Sequence, residues 1–260
     1  MRPVIVLLTD FGTLDPYVGQ MKGVLLREAP DAQVVDLCHE VRAHNIVQAA
    51  FLLEASHLHF PPQAIFLGVV DPGVGSSRSI LMAQFENQIF LAPDNGLLSF
   101  LLDRPVSWWK VAPEFECASK TFHGRDIFAP LAARLALGAS PRSMATPVSA
   151  IEIKRHAMTW AENADGVLDC TVLHVDRFGN CLLNLRAENF DAGDGTLHLD
   201  DGTMVAVVKT YAHLSPGQVG LLEGSQGVME LAMNQDSCAR LLELSPSKTL
   251  RLSKKDTSHP

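Results

Sequence analysis

Short apolar runs alternate with stretches of helical periodicity in the first half of the chain. Residues 4–8 and 64–70 are continuous apolar runs, which predicts strands that are covered on both faces. Apolar residues recur at helical spacing over residues 18–25 and again from residue 46, which predicts two helices. A further strand is predicted at residues 34–38, between the two helices. The resulting β-α-β-α-β order favours an α/β N-terminal domain, placed at residues 1–150, with a mostly parallel sheet.

The second half of the chain has a different pattern, in which short strands are separated by turn residues. Turn sequences such as Asp201-Gly202 are typical of an antiparallel β domain. We therefore expect a smaller all-β domain over residues 164–246 and a polar tail over residues 247–260. The predicted strands cover residues 167–175, 181–185, 196–199, 203–210 and 228–232.

The composition is that of a folded protein with large apolar cores, since 47% of the residues are hydrophobic and only 19% are charged. The 29 acidic and 21 basic residues give a formal net charge of −8. Nucleic acid is therefore not expected as a partner. The longest apolar runs fall far short of the roughly 18 residues that a membrane helix needs, so no membrane partner is expected either.

The cysteines and histidines show no spacing that is typical of a metal site. The cysteine count is odd and no CxxC pair occurs, which favours buried thiols in a reducing cytosol over disulfides or zinc. His57 and His59, like His39 and His44, lack the acidic partners of a metal-binding helix. We expect a cytoplasmic protein without a metal or cofactor. The five cysteines are at positions 38, 117, 170, 181 and 238.

Polar segments follow two of the predicted strands, where ligands bind in open α/β sheets. Asp10, after the first strand, can hold a ribose diol through two hydrogen bonds or can satisfy loop amides, and the spacing alone does not decide between them. Residues 71–78, after the strand at 64–70, contain glycines that permit close backbone approach. They lack the lysine of a phosphate-binding P-loop.

A third polar segment, Phe122-His123-Gly124, precedes a predicted helix. His123 can act as a cap or a packing residue. Together with Asp71 and Arg78 it can also form a site of carboxylate, guanidinium and imidazole. No GxSxG motif is present, so a serine hydrolase is not supported.

Several segments, spread in order over both predicted domains, resemble the S-adenosyl-L-methionine (SAM) hydroxide adenosyltransferases, which are relatives of fluorinase and chlorinase. No single motif is specific to this family, but the number of matching segments makes the resemblance specific. The segments are LLTDFGTLDPYVGQMKGV (7–24), DLCHEV (36–41), GVVDPGVGSSR (68–78), APDNGLL (92–98), TFHGRDIFAP (121–130), VDRFGNCLLN (175–184) and GSQGVMELAMN (224–234).

The resemblance implies an enzyme that hydrolyses SAM to adenosine and L-methionine, with SAM as substrate rather than cofactor. It also implies a barrel-like C-terminal domain and a homotrimer with active sites between neighbouring subunits. Asp71, Arg78 and His123 would activate water, and Asp10 would hold the ribose hydroxyls. The remaining substrate-binding residues implied are Phe122, Phe178, Asn180, Ser225, Glu230 and Met233.

Two other functions stay open on the sequence: a halide-using SAM adenosyltransferase, and a non-catalytic adenosine- or SAM-binding protein. The related halogenases carry Tyr, Tyr and Ser at the positions of Asp71, His123 and Gly124, so halide transfer is disfavoured. Gln226 replaces a halogenase arginine for the methionine carboxylate, and His44 replaces an aromatic ring of the pocket.

Overall fold

The computed structural model describes residues 2–112, 120–156, 158–164, 166–191 and 196–254. The chain divides into two compact units, residues 1–157 and 158–260. Cys117 and residues 255–260 of the predicted tail lie outside the described residues. Within the described ranges, no helix is long and apolar enough to cross a membrane.

The described residues of the first unit form one seven-stranded sheet and three α-helices. A π-helical turn, Gly124–Phe128, leads into the third helix. The helices are α1 (Tyr17–Glu28), α2 (Ile46–Ser56) and α3 (Ala129–Ala136). The strands are β1 (Val4–Thr9), β2 (Gln33–Cys38), β3 (Ile65–Val69), β4 (Ile80–Phe85), β5 (Gln88–Pro93), β6 (Ser107–Val111) and β7 (Ala145–Pro147), in the spatial order β2-β1-β3-β5-β4-β6-β7.

The sheet is mixed, so the prediction of a mostly parallel sheet is wrong. Strands β2, β1, β3 and β5 are parallel neighbours, whereas β4, β6 and β7 join through antiparallel pairs. The cause is a tight turn at Glu86 and Asn87, where Glu86 has a φ of 52°. So short a connection between β4 and β5 permits only an antiparallel pair.

Both faces of β1 are buried, as its continuous apolar sequence predicts. Ile5 and Leu7 pack in one core cluster with residues of α1 and α3. Val6 and Leu8 pack in a second cluster, on the opposite face, with residues of α2. Alternate side chains of a strand point to opposite faces, so one run of five apolar residues serves both layers.

The second unit is a closed seven-stranded β-barrel, which agrees with the expected barrel-like domain. Pairing of β9 (Val167–Val175) with β10 (Cys181–Arg186) closes it, and β8 (Asn163–Ala164) extends one side. Among the described strands one pair, β12 (Met204–Val207) with β13 (Val219–Glu223), is parallel, which departs from an all-antiparallel pattern. The elements are β8 (Asn163–Ala164), β9 (Val167–Val175), β10 (Cys181–Arg186), β11 (Leu197–Leu199), β12 (Met204–Val207), β13 (Val219–Glu223), β14 (Val228–Met233), α4 (Cys238–Leu241) and β15 (Thr249–Lys254).

Strand β15 corrects the prediction of a polar tail from residue 247. It pairs with β9 over Thr249–Ser253 and with β11, so it is part of the barrel wall. Its inward residue Leu252 is fully buried, while Arg251 and Lys254 are exposed. The alternating polar side chains therefore belong to the outer face of a strand.

The parallel pair β1 and β3 ends at one edge of the first sheet. Thr9 is the register partner of Val69, so the loops that begin at Asp10 and after Val69 emerge side by side. The sheet thereby places two of the predicted polar segments at the same edge.

Candidate active site

Asp71 and Arg78 form an ion pair within the loop that follows β3. Nε of Arg78 donates to Oδ1 and Oδ2 of Asp71 at 3.0 and 2.9 Å, and Nη2 also donates to Oδ2. Each side chain is only 5% exposed. The loop therefore holds a fixed carboxylate against a fixed positive charge, with little competition from solvent.

His123 joins this pair through the same guanidinium. Nη2 of Arg78 lies 2.8 Å from Nδ1 of His123. Because a guanidinium can only donate, Nδ1 must accept, and the proton of the neutral imidazole resides on Nε2. The guanidinium carbon also lies 5.8 Å from the ring centre of Phe128. The carboxylate, guanidinium and imidazole predicted from the sequence are thus in direct contact.

A pocket of about 210 Å³ opens beside Asp71 and His123. Most of its other lining side chains are apolar or aromatic, so a reacting group placed there would be poorly hydrated. The lining residues are Phe11, Tyr17, Val69, Asp71, Val74, Thr121, Phe122, His123 and Gly124.

Three aromatic rings form one wall of this pocket. Phe122 lies edge-on to Phe11 and Tyr17, with centroids 5.8 and 5.2 Å away. The guanidinium carbon of Arg125 lies 5.1 Å from the Phe122 ring centre, and Arg125 is held by Asp126. Phe122, predicted as a substrate-binding residue, lies in the pocket wall, and its contact with substrate stays a prediction.

Two glycines control the packing around the reactive groups. A Cβ on Gly75, whose φ is +78°, would lie 2.5 Å from the carbonyl oxygen of Lys120. The loop that carries Asp71 and Arg78 therefore touches the segment that leads to His123 only because residue 75 has no side chain. A Cβ on Gly124 would lie 3.1 Å from Met21 Sδ and from the Phe122 ring.

Asp10 lies directly after β1, next to the pocket residue Phe11. Its side chain is 8% exposed, and Oδ2 accepts the backbone N–H of His44 at 2.8 Å. His44 itself is exposed and has a φ of 67°. The loop-amide and ribose interpretations are compatible, because a carboxylate has further lone pairs beyond the one that His44 uses.

Asn180 belongs to a tight turn before β10 in the second unit. Asp176 Oδ1 accepts the backbone N–H groups of Phe178 and Asn180, each at 2.9 Å, and Oδ2 accepts the Asn180 side-chain amide at 2.9 Å. Gly179 has a φ of +87°, and a Cβ at this position would clash with Ser237, so both the backbone conformation and the packing require glycine. This turn leaves the Phe178 ring 77% exposed.

Glu230 is buried in β14 and accepts a short hydrogen bond from the Tyr211 hydroxyl. Burial raises the pKa of Glu230; the Tyr211 hydrogen bond opposes this rise and the Asp176 carboxylate adds to it. The pKa of Tyr211 is raised as well, by burial and by Glu230. A carboxyl group with a raised pKa beside the Asn180 turn is typical of a ligand site.

The other two predicted residues of this unit occupy different surroundings. Ser225 is exposed in the turn between β13 and β14. Met233 is 5% exposed and packs in the barrel core. Their contacts with substrate stay predictions.

Sequence reasoning missed Phe11, Tyr17, Asp176 and Tyr211. Phe11 and Tyr17 lie within the family-like segment 7–24, and Asp176 lies within the family-like segment 175–184, but neither segment indicated a role for them. Tyr211 lies in none of the family-like segments, and only the fold brings it to Glu230. Among the residues that the structure describes, no group of three or more His, Cys, Asp or Glu could hold a metal ion.

Comparison with known proteins agrees with this architecture. Residues 5–145 match the SAM hydroxide adenosyltransferase N-terminal domain, and residues 170–251 match the C-terminal domain. The chain therefore belongs to the SAM hydroxide adenosyltransferase family, and the resemblance predicted from the sequence is confirmed.

Individual relatives span nearly the whole chain. An (R)-S-adenosyl-L-methionine hydrolase of Thermus thermophilus is 36% identical over 264 residues, which cover 97% of this chain and 100% of the relative. A crystal structure of an uncharacterized conserved protein from Thermotoga maritima has a TM-score of 0.88 and 30% identity, covering 96% and 100%. A fluorinase of Actinopolyspora mzabensis is 26% identical over 294 residues, covering 97% and 98%.

Proposed function

We infer that this chain is a SAM hydrolase, which converts SAM and water to adenosine and L-methionine. The observation that carries this inference is the contact of Asp71 and His123 with one buried guanidinium at a pocket, in a chain 36% identical to a named (R)-SAM hydrolase. The name of that relative specifies one epimer, and we propose that this chain also consumes SAM of the (R) configuration at sulfur.

The chemistry of SAM explains why such a simple site suffices. Sulfur already carries a positive charge, so methionine leaves carbon 5′ as a neutral thioether and needs no acid. The nucleophile is the difficult part, because bulk water has a pKa of about 15.7. A proton acceptor and a nearby cation lower the barrier by forming and stabilising hydroxide. Attack by hydroxide on carbon 5′ of the sulfonium cancels the negative and positive charges, so a poorly hydrated pocket favours the reaction.

The hydrogen bonds in this site support Asp71, rather than His123, as the proton acceptor. Nδ1 of His123 accepts from Arg78, so its Nε2 is already protonated and can donate but not accept. Oδ1 of Asp71 accepts one hydrogen bond from Arg78, which leaves it a further lone pair for water. In this proposal the water oxygen bonds to carbon 5′, its proton passes to Asp71, and the C5′–S electron pair leaves with sulfur.

The remaining predicted residues are assigned to binding. Asp10 accepts hydrogen bonds from the two ribose hydroxyls, and Phe122 packs against the substrate. Asn180 and Phe178 bind the adenine, and Ser225, Glu230 and Met233 bind near the adenine and methionine ends. Burial and polarity support Asp10, Asn180 and Glu230 most directly, since each is a buried polar side chain beside a loop.

We further propose that the enzyme needs no metal or cofactor, acts as a homotrimer and is cytoplasmic. The homotrimer is supported by the family resemblance, and light scattering of the purified protein would test it. The cytoplasmic location is supported by the four described cysteines, Cys38, Cys170, Cys181 and Cys238, which are free thiols.

The decisive experiment is incubation of the purified protein with an (R,S) mixture of SAM in ¹⁸O-labelled water. We expect adenosine and methionine in equal amounts, ¹⁸O at the 5′ oxygen of adenosine, and loss of the (R) epimer first. The Asp71→Asn variant is the matched control. Absence of adenosine would favour a binding protein, and ¹⁸O-free adenosine would refute attack at carbon 5′.

A further inference from the structure

Four polar side chains connect the protein surface to the base of the Asp10 loop. Lys22 Nζ of α1 donates to Asp36 Oδ2 of β2 at 2.6 Å, and Asp36 Oδ1 lies 3.0 Å from His39 Nε2. His39 Nδ1 in turn lies 2.8 Å from the hydroxyl of Thr9, the last residue of β1. Lys22 and Asp36 are partly exposed, whereas His39 and Thr9 are buried.

The charges fix the direction of the hydrogen bonds along this chain. Burial raises the pKa of Asp36, but the hydrogen bond from Lys22 and the imidazole of His39 close by outweigh it and leave the pKa below its ordinary value. Asp36 is therefore an ionised acceptor, and the His39 ring nitrogen that faces it, Nε2, carries a proton. The Nε2–H is near Asp36 without full hydrogen-bond alignment. With the neutral imidazole in this tautomer, the Thr9 hydroxyl donates a hydrogen bond to Nδ1.

The order carboxylate, imidazole and hydroxyl is also that of a hydrolase triad, but this hydroxyl cannot be a nucleophile. Thr9 is 0% exposed, so no substrate can reach its oxygen. What the hydroxyl does contact is backbone: Oγ1 accepts the N–H of Phe11 at 3.3 Å. The chain of contacts therefore acts on the conformation of the loop rather than on a substrate bond.

His39 holds the Asp10 loop at two points. Its ring orients Thr9, which accepts the Phe11 N–H, and its backbone carbonyl accepts the Gly12 N–H at 2.8 Å. Asp10 lies between these two anchors. We propose that His39 is a positioning residue that, through Thr9, keeps the Asp10 carboxylate aimed at the ribose hydroxyls. This inference rests on the proposed function, because it takes Asp10 as the ribose-binding residue.

The test compares substitutions that keep or remove single atoms of this connection. Thr9→Val removes the hydroxyl while keeping the shape of the side chain, whereas Thr9→Ser keeps the hydroxyl. His39→Asn keeps an acceptor at the position of Nδ1, whereas His39→Ala removes it. Calorimetry measures the Kd of adenosine, 2′-deoxyadenosine and 3′-deoxyadenosine for each variant, and initial rates give kcat and KM for SAM.

We expect the parent protein to bind adenosine about tenfold or more tightly than the deoxynucleosides, as for the loss of a hydrogen bond to a charged group. In Thr9→Val and His39→Ala we expect the ratio of the deoxynucleoside Kd to the adenosine Kd to fall to about one. KM for SAM should rise, and kcat should change much less. Thr9→Ser and His39→Asn keep the preference for adenosine. If His39 and Thr9 had a purely structural role, their substitution would weaken the binding of all three nucleosides equally. That result would overturn the proposal.

Asp10→Asn separates failure of this inference from failure of the ribose assignment. If Asp10→Asn abolishes the preference for adenosine while Thr9→Val retains it, the positioning role of His39 is wrong and the ribose site stands. If neither the parent nor Asp10→Asn distinguishes the nucleosides, Asp10 does not bind ribose. Both the ribose assignment of Asp10 and the positioning role of His39 are then wrong. Adenosine formation from SAM by the parent reports on the hydrolase function independently.

Discussion

Arg78 and His123 are joined by a 2.8 Å contact in which the guanidinium donates to Nδ1 of the imidazole. The same guanidinium donates to both carboxylate oxygens of Asp71. One buried cation thus determines which nitrogen of the imidazole accepts a hydrogen bond and how the carboxylate is oriented. The three groups are expected to act as a unit, with Asp71 as the base and His123 as a donor to the attacking water.

Asp71→Asn is expected to lower kcat by roughly 10² to 10⁴-fold, the usual contribution of a positioned general base. SAM binding should change little, because a water-activating group acts mainly in the transition state. His123→Ala should lower kcat, and His123→Gln, which offers an amide near the position of Nε2, should recover part of it. Single-turnover rates and the Kd of SAM measure both effects. Parental rates in Asp71→Asn would refute the assigned role.

Gly75→Ala is expected to lower kcat by about 10²-fold, the scale of an ångström-sized misplacement of catalytic groups. The added Cβ would lie 2.5 Å from the Lys120 carbonyl oxygen, and a φ of +78° is itself strained for alanine. The loop must therefore move away from His123. Gly73→Ala is the matched control, since its Cβ makes only ordinary contacts, the nearest at 3.4 Å from Ser76 Oγ. Equal rates for the two variants would contradict this account.

Chloride should be a poor nucleophile for this enzyme. A carboxylate repels an anion about 4 Å away by about 4 kcal/mol at an effective dielectric near 20, although Arg78 offsets part of this. We expect adenosine, with no more than trace 5′-chloro-5′-deoxyadenosine, in molar chloride. A chlorinated product that rivals adenosine would instead favour the halogenase function.

Asp71→Tyr combined with Gly124→Ser should abolish most hydrolysis, because the base is lost and the pocket is narrowed. The new Cβ at 124 would be 3.1 Å from Met21 Sδ, a flexible side-chain end that can shift. Gly124→Ser alone is the control for packing, and it should retain more hydrolysis than the double variant. Product analysis by mass spectrometry, with and without chloride, measures both.

Glu230→Gln should make the free energy of unfolding less dependent on pH. The pKa of Glu230 in the folded state is raised above its ordinary value of 4.5, so the folded state binds the proton more tightly. Its contribution to stability is therefore present below pH 4.5 and is lost as pH rises through the folded-state pKa. As pH rises from 4.5 through the folded-state pKa, denaturant titrations should show Glu230→Gln gaining free energy of unfolding relative to the parent. Glu223→Gln, at an exposed position, should show the same pH dependence as the parent.

Exhaustive dialysis against a chelator is expected to leave the hydrolysis rate unchanged. The described residues contain no cluster of three or more potential metal ligands, and Arg78 already supplies the positive charge beside Asp71. A lost rate that zinc or magnesium restores would show that a metal takes part. Dialysis without chelator is the control.

Apolar patterns predicted the helices of the first unit and strands at residues 4–8, 34–38 and 64–70, but they predicted neither β4 to β7 nor the direction in which the strands pair. The run at residues 4–8 predicted a strand buried on both faces, because each alternate residue had to face an apolar layer. The antiparallel β4 and β5 were missed, since an apolar run does not encode its direction. Direction depends on the connection, here the turn at Glu86 and Asn87. Strand β15 was missed because its partners β9 and β11 are distant in the chain.

The sequence by itself determined which chemical groups were available and that Asp10 and Asp71 follow strands of one sheet. It could not decide whether His123 was a cap or a partner of Arg78, nor whether His39 had any role. Those answers depended on hydrogen bonds between residues distant in the sequence, such as Arg78 with His123 and Thr9 with His39. Hydrogen bonds require atoms to meet within about 3 Å and in line, and only the folded backbone brings these atoms that close.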